Sequence, residues 1–129
     1  MNQADLGYFN PIIDGTTPAI NDVISMHTSS LSITYDFPVI LSTGNISIHE
    51  VIKERENEIT RQTFDGLTTR FCTISKDNRT VTINVFESTF NKPDQLYHVI
   101  VEDGFVRERN TSEPLLGILK ERWIFRTGM

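Results

Sequence analysis

The sequence has one cysteine, Cys72, so no disulfide bond can form within the chain. Cys72 lies in the strand-like run of residues 70–74, where we expect a buried structural thiol. A reactive thiol would need exposure and cationic neighbours. Thiol chemistry therefore gives no indication of the compartment.

Long apolar runs are also missing, and none reaches the length of about 20 residues that a membrane-spanning helix needs. Residues 1–5 contain neither a basic region nor an apolar stretch, so we expect no signal peptide. Two interpretations stay open. Either the protein is cytosolic, or Met1 starts a domain that was cut from a longer chain.

Cations are few and scattered. Lys and Arg number 12 against 17 Asp and Glu, which gives a net charge of −5. Nucleic acids and anionic membranes are bound by clustered cations. The charge pattern therefore argues against both partners.

The sequence has no nucleophile elbow, no glycine-rich phosphate loop and no catalytic cysteine signature. The pair His49-Glu50 begins like the zinc-protease motif, but Lys53 stands where the second histidine belongs. The three histidines, His27, His49 and His98, fall on different predicted segments, which suits surface or half-buried polar positions. We therefore expect no catalytic residue, no metal ligand and no enzymatic activity.

Calcium is the one metal for which the sequence offers oxygen ligands. The candidates are acidic side chains that could meet at a loop end, namely Asp14, Asp22, Asp36, Glu102 and Asp103. No Asp-x-Asp-x-Asp loop accompanies them. The expected result is a chain without a cofactor, in which excess calcium or a chelator leaves the thermal midpoint unchanged.

Period-two alternation is the dominant pattern, and residues 95–106 show it best. Tyr97, Val99 and Val101 fall on one face of an extended segment, because successive side chains of a strand point to opposite sides. Residues 98, 100 and 102 fall on the other face. We predict that this segment is the central strand of a β-sandwich.

Other segments repeat the pattern. Residues 31–39 and 121–127 alternate, and in the latter Trp123 and Phe125 share the inward face. Residues 70–75 and 80–86 form a predicted hairpin, residues 14–18 a dense turn, and residues 53–58 a connection. These patterns predict one all-β domain over residues 1–129, an antiparallel sandwich of seven to nine strands with almost no helix.

The order of these pieces resembles an SbsA-type or Big_5-type Ig-like domain, a bacterial-type module of surface proteins. The matching runs are Asn10-Pro11 with Asp14-Gly15, residues 31–39 (Leu-Ser-Ile-Thr-Tyr-Asp-Phe-Pro-Val), residues 45–48, 80–83 and 96–99, and the aromatic last strand, residues 123–128. Residues 53–58 and 107–117 depart from the family pattern.

The resemblance implies an antiparallel Ig-like sandwich without catalytic activity. Such modules stand in tandem or as spacers in cell-surface and secreted proteins. The expected role is an extracellular structural or adhesion unit, excised from a longer surface protein, whose partners are neighbouring domains of its own chain or surface proteins and glycans. Since a fold does not determine a function, this expectation is an analogy.

One further sequence feature favours an extracellular role. Glycosylation sequons begin at Asn45, Asn78 and Asn110, all at predicted turns or connections where a glycan would face water.

The alternative function is a carbohydrate-binding or ligand-binding sandwich, which would need exposed coplanar aromatic rings. The aromatic residues not assigned to the core are Tyr8, Phe9, Phe64, Phe90 and Phe105.

Overall fold

The computed structural model describes residues 7–52 and 57–128. They form eleven strands, in chain order β1 (Ile13–Thr17), β2 (Val23–Ile24), β3 (Ser30–Tyr35), β4 (Val39–Leu41), β5 (Asn45–Ile52), β6 (Asn57–Asp65), β7 (Cys72–Ile74), β8 (Thr80–Asn84), β9 (Leu96–Val101), β10 (Val106–Glu108) and β11 (Ile118–Thr127). Nowhere in these two ranges does a helix occur that could cross a membrane.

The strands form three sheets. One sheet has four strands in the order β1-β3-β8-β7, a second has five in the order β2-β11-β9-β5-β6, and β4 pairs with β10 in a third. A single hydrophobic cluster draws side chains from both larger sheets. The chain is therefore all-β, with antiparallel and mixed sheets, an arrangement consistent with a β-sandwich.

The prediction for the central strand is confirmed. β9 lies in the middle of the five-stranded sheet, with β11 on one side and β5 on the other. Tyr97, Val99 and Val101 are buried in the core. Trp123 is also fully buried and pairs in register with Val99, as the alternation of the last strand predicts.

Some sequence predictions were wrong. The dense turn predicted at residues 14–18 is largely strand β1, whose register against β3 shifts between Ile13 and Gly15 and leaves Asp14 as an extra residue. Of the connection predicted at residues 53–58, Asn57 and Glu58 belong to β6, and residues 53–56 lie outside the described residues, as do residues 1–6. The predicted seven to nine strands compare with eleven in the described ranges, of which four have only two or three residues.

Two irregularities shape the five-stranded sheet. In β6 the register against β5 shifts next to His49 and leaves Arg61 as an extra residue, which is a β-bulge. In β11 the interruption is larger, because Ile118 pairs with Val101 whereas Trp123 pairs with Val99. Four residues of β11, numbers 119–122, therefore face a single residue of β9. We call these four residues the β11 excursion.

Candidate functional sites

The first candidate site lies where β2 meets the end of the last strand, β11. β2 pairs with the end of β11, Val23 beside Arg126 and Ile24 beside Thr127, and the two strands run parallel. Every other pair among the described strands is antiparallel.

Backbone hydrogen bonds extend this pairing beyond the two strands. The amide of Asn21 donates to the carbonyl oxygen of Ile124 at 2.7 Å. The amides of Arg126 and Gly128 donate to the carbonyl oxygens of Asp22 and Ile24, each at 3.0 Å. We call this ladder between residues 21–24 and 124–128 the parallel clamp.

The second candidate site is a group of three side chains on the face of the five-stranded sheet opposite the core. His49 of β5 and His98 of β9 pair directly across the two strands, with ring centroids 5.2 Å apart. Glu58 of β6 reaches both rings. One ligand atom from each side chain lies within 4.8 Å of the others. We call His49, Glu58 and His98 the outer-face cluster.

Hydrogen bonds determine the tautomer of His98. Its Nδ1 accepts the backbone N–H of Glu121, at 3.2 Å, so the ring proton must be on Nε2. Nε2 then donates to Glu58 Oε2 at 2.5 Å. Because Glu121 lies in the β11 excursion, this hydrogen bond holds the excursion against the ring of His98. The ring is only 1% exposed as a result.

His49 is held differently. Its Nε2 lies 3.0 Å from the hydroxyl of Ser47, and its Nδ1 lies 3.2 Å from the hydroxyl of Thr60. Glu58 Oε1 is 3.7 Å from the same Nδ1. Each ring nitrogen of His49 therefore has a neutral hydroxyl as its hydrogen-bond partner, and Nδ1 has the carboxylate oxygen at a longer distance.

The surroundings of His49 disfavour a positive charge on its ring. Burial lowers the pKa of His49, and the neighbouring His98 and Lys120 lower it further against the opposing attraction of Glu58. Burial alone would raise the pKa of Glu58. The hydrogen bond from His98 and the nearby His49 and Lys120 outweigh that effect and hold this pKa below its usual value. Glu58 is thus a carboxylate between two imidazole rings, a donor set that suits zinc.

Sequence reasoning missed this cluster. It assigned His49 and His98 to separate surface or half-buried positions, whereas the structure buries both and makes them cross-strand neighbours. It also placed Glu58 in a connection. The pairing of β5 with β9 could have been proposed from their alternation, but the register that brings the two histidines together leaves no signal in a single sequence.

Glu50 is a buried carboxylate on the core side of β5, next to Tyr97 of β9. It forms ion pairs with Lys92 Nζ at 3.0 Å and Arg61 Nη1 at 3.6 Å. A cleft of about 320 Å³ opens beside it, lined by Glu50, Val51, Ile52, Asp94, Gln95, Leu96 and Arg126. Two cations neutralise Glu50, so a structural role accounts for its burial.

Cys72 is 2% exposed, and its thiol lies 3.8 Å from the carbonyl oxygen of Asp65. Burial, with a smaller contribution from the Asp65 carboxylate, raises the pKa of the thiol to about 12. The buried structural thiol expected from the sequence agrees with this environment.

We expect a thiol reagent at pH 8 to leave folded Cys72 unmodified and to label it fully in denaturant. The thiolate is the reacting form, and in the folded protein it is both scarce and inaccessible. Mass spectrometry after timed labelling measures the modified fraction. Complete labelling of the folded protein within minutes would contradict the burial of this thiol.

The aromatic residues do not form a coplanar exposed platform in the described part of the chain. Of the five candidates, Tyr8, Phe64, Phe90 and Phe105 are buried. Phe9 is 55% exposed, but the guanidinium of Arg122 lies over its ring, with Cζ 3.8 Å from the ring centroid. Phe86 is exposed too and meets Phe71 edge-on, at 86°. The structure therefore gives the carbohydrate-binding alternative no specific support.

The acidic side chains considered for calcium are not brought together. Within residues 7–52 and 57–128, the outer-face cluster is the group of three His, Cys, Asp or Glu side chains whose ligand atoms converge. Three of the five acids instead accept backbone N–H groups: Asp22 from Ala19, Asp103 from Gly117 and Glu102 from Asn45.

The sequon asparagines lie at strand ends and turns. Asn45 begins β5 and is exposed, and Asn110 is exposed in the segment after β10. Asn78 is half-buried in the turn between β7 and β8, with φ 59°, and its side-chain amide donates to the carbonyl oxygen of Lys76. Glycosylation at the three positions stays a prediction.

Comparison with known proteins produced no match, either to a protein-family model or to a curated protein sequence.

Proposed function

We propose that this protein is a non-catalytic Ig-like spacer module that transmits tension along a longer cell-surface or secreted chain. The observation that carries the proposal is the parallel clamp between β2 and the end of β11. The extracellular setting is supported by the resemblance to SbsA-type and Big_5-type domains and by the three sequons.

The clamp supports this role because of its direction. Tension on the chain reaches β11 from its C-terminal side. From the N-terminal side it first loads β1, which pairs with β3, and then reaches β2 through the segment between the two strands. Since the two strands are parallel, opposite pulls slide them along their axes and load the hydrogen bonds of the clamp together. An antiparallel pair pulled apart from one end would instead lose its bonds one at a time.

The five-stranded sheet also supports load transfer. β11 continues from the clamp into its ladder with β9, where Trp123 pairs with Val99 and Phe125 with Tyr97. These two aromatic side chains are fully buried, so β11 cannot leave the sheet without exposing them. The clamp is thereby anchored in the core.

Single-molecule pulling tests the proposal through the direction of the force. When handles are attached at the two chain ends, we expect the domain to unfold in one high-force step. When they are attached at position 94 of an Asp94→Cys variant and at its C-terminus, we expect a clearly lower force. Asp94 is exposed, and its amide donates to Gly128 at the end of β11, so the second geometry unzips β11 from that end.

The same variant pulled from its two ends is the matched control, because it separates the effect of direction from that of the substitution. Equal unfolding forces in the two directions would overturn the proposal. Turnover of a substrate by the isolated domain, abolished by a single His, Asp or Glu substitution, would contradict its non-catalytic part.

A further inference from the structure

The outer-face cluster has a chemistry that the load-transmitting role does not use. It presents two imidazole nitrogens and one carboxylate from three adjacent strands, β5, β6 and β9. We propose that His49 Nδ1, His98 Nε2 and Glu58 together bind a divalent transition metal of the zinc class. Two histidines and a glutamate are a donor set that zinc takes in proteins, with a fourth position open to water.

The positions of the ligand atoms favour this assignment. The three atoms lie within 4.8 Å of one another and need small side-chain movements to approach a common centre at zinc-ligand distances. Both rings are held in a sheet whose backbone is fixed by pairing on either side. Glu58 is 28% exposed at its side chain, which leaves a path from solvent to the centre.

Three groups have to give way to the metal. The first is the proton on His98 Nε2, which now lies between this nitrogen and Glu58 Oε2. The metal takes its place, as metals do when they bind protein ligands. The second is the ammonium of Lys120, 3.8 Å from the same oxygen. Its side chain is 59% exposed and can turn into solvent. The third is the hydroxyl of Thr60, which now lies 3.2 Å from the proposed ligand atom His49 Nδ1 and has to release it.

The β11 excursion has to adapt as well. With a metal on Nε2, the ring proton of His98 moves to Nδ1, where it would face the N–H of Glu121. Rotation of the peptide between Lys120 and Glu121 by half a turn removes this conflict. It replaces the N–H with the carbonyl oxygen of Lys120, which is the partner that metal-bound histidines usually have.

The backbone conformation of Glu121 favours this rotation. Its φ is 65°, a left-handed conformation that a residue with a side chain seldom adopts. Rotation of the preceding peptide moves φ into the negative, favourable region. The excursion makes this change without breaking the β9 ladder, because its four residues oppose only Ile100.

Titration of the metal-free full chain with zinc, followed by calorimetry and by thermal melting, tests the proposal. We expect one zinc ion to bind per chain and to raise the melting midpoint, since it binds only the folded state. Glu58→Gln is expected to weaken the zinc affinity by at least about tenfold. Cobalt in place of zinc should give the visible absorption of a low-coordinate nitrogen and oxygen site.

His27→Gln is the matched control, because His27 is exposed and remote in sequence from the cluster. It should bind zinc as the unaltered chain does. Absence of zinc binding by the unaltered chain, or equal affinity in the Glu58→Gln and His27→Gln variants, would overturn the proposal. Circular dichroism of each metal-free variant verifies that it is folded, so that lost binding reports on the site.

Discussion

Replacing Trp123 with alanine is expected to lower the free energy of unfolding by about 3–5 kcal/mol. Trp123 is fully buried on the core face of β11, with its ring centroid 6.2 Å from that of Phe125. Its indole N–H donates to the carbonyl oxygen of Pro18 at 2.8 Å. The substitution thus removes a large apolar volume and one of two hydrogen bonds to the Pro18 carbonyl oxygen, which also accepts the Thr16 hydroxyl at 2.8 Å.

Urea unfolding followed by far-ultraviolet circular dichroism measures this loss, and Leu119→Ala is the matched control. Leu119 lies in the same strand but is 65% exposed, so its truncation should change stability by no more than about 0.5 kcal/mol. Trp123→Phe keeps most of the volume and should fall between the two. Since Trp123 is the sole tryptophan, emission of the native protein at the wavelength of free indole would contradict its burial.

The second large effect is expected for Gly117→Ala, which should destabilise the protein by about 3 kcal/mol or more. A Cβ at position 117 would lie 1.7 Å from the carbonyl oxygen of Val101. That atom belongs to the backbone of the central strand, so no side-chain rotation can relieve the overlap. The start of β11, where Ile118 pairs with Val101, would have to move away from β9.

Gly15→Ala is the control for Gly117→Ala, because a Cβ added at position 15 would meet no atom within 4 Å beyond its own chain neighbours. We expect its free energy of unfolding to stay within about 0.5 kcal/mol of that of the unaltered chain. Each of the two variants differs from the unaltered chain by one added methyl group. Equal stabilities for both would show that β11 does not approach Val101 closely.

Alternation of side chains was sufficient to predict the centre of the fold. Tyr97, Val99 and Val101 alternate with polar or less buried residues, and a strand buried on one face requires this pattern. The inward position of Trp123 followed in the same way. The hairpin of β7 and β8 was predicted from the polar turn between two alternating runs, and the structure pairs these strands.

Irregularities in the strands defeated the same reasoning. Residues 14–18 contain Gly, Thr and Pro, which are typical of a turn, yet β1 passes through them because pairing with β3 outweighs the local preference. The β11 excursion is invisible in the sequence, since residues 119–122 carry no glycine or proline to indicate a break. Tertiary pairing decides both cases.

The outer-face cluster could not be predicted because it depends on register. His49 and His98 are far apart in the sequence, and a shift of one residue between β5 and β9 would place them on opposite faces of the sheet. Glu58 joins them through the pairing of β6 with β5. The sequence shows each residue on its own strand, and only the three strands together bring them into contact.

The bulge at Arg61 affects how copies of this protein interact at high local concentration. β6 is an edge strand of nine residues, and a long regular edge invites pairing with another molecule and then aggregation. Arg61 interrupts the edge, and its guanidinium turns back to the carbonyl oxygen of Ser88, at 2.6 Å. A second molecule therefore meets a bent edge that offers only short regular stretches. The bulge thereby disfavours pairing between densely packed copies along this edge.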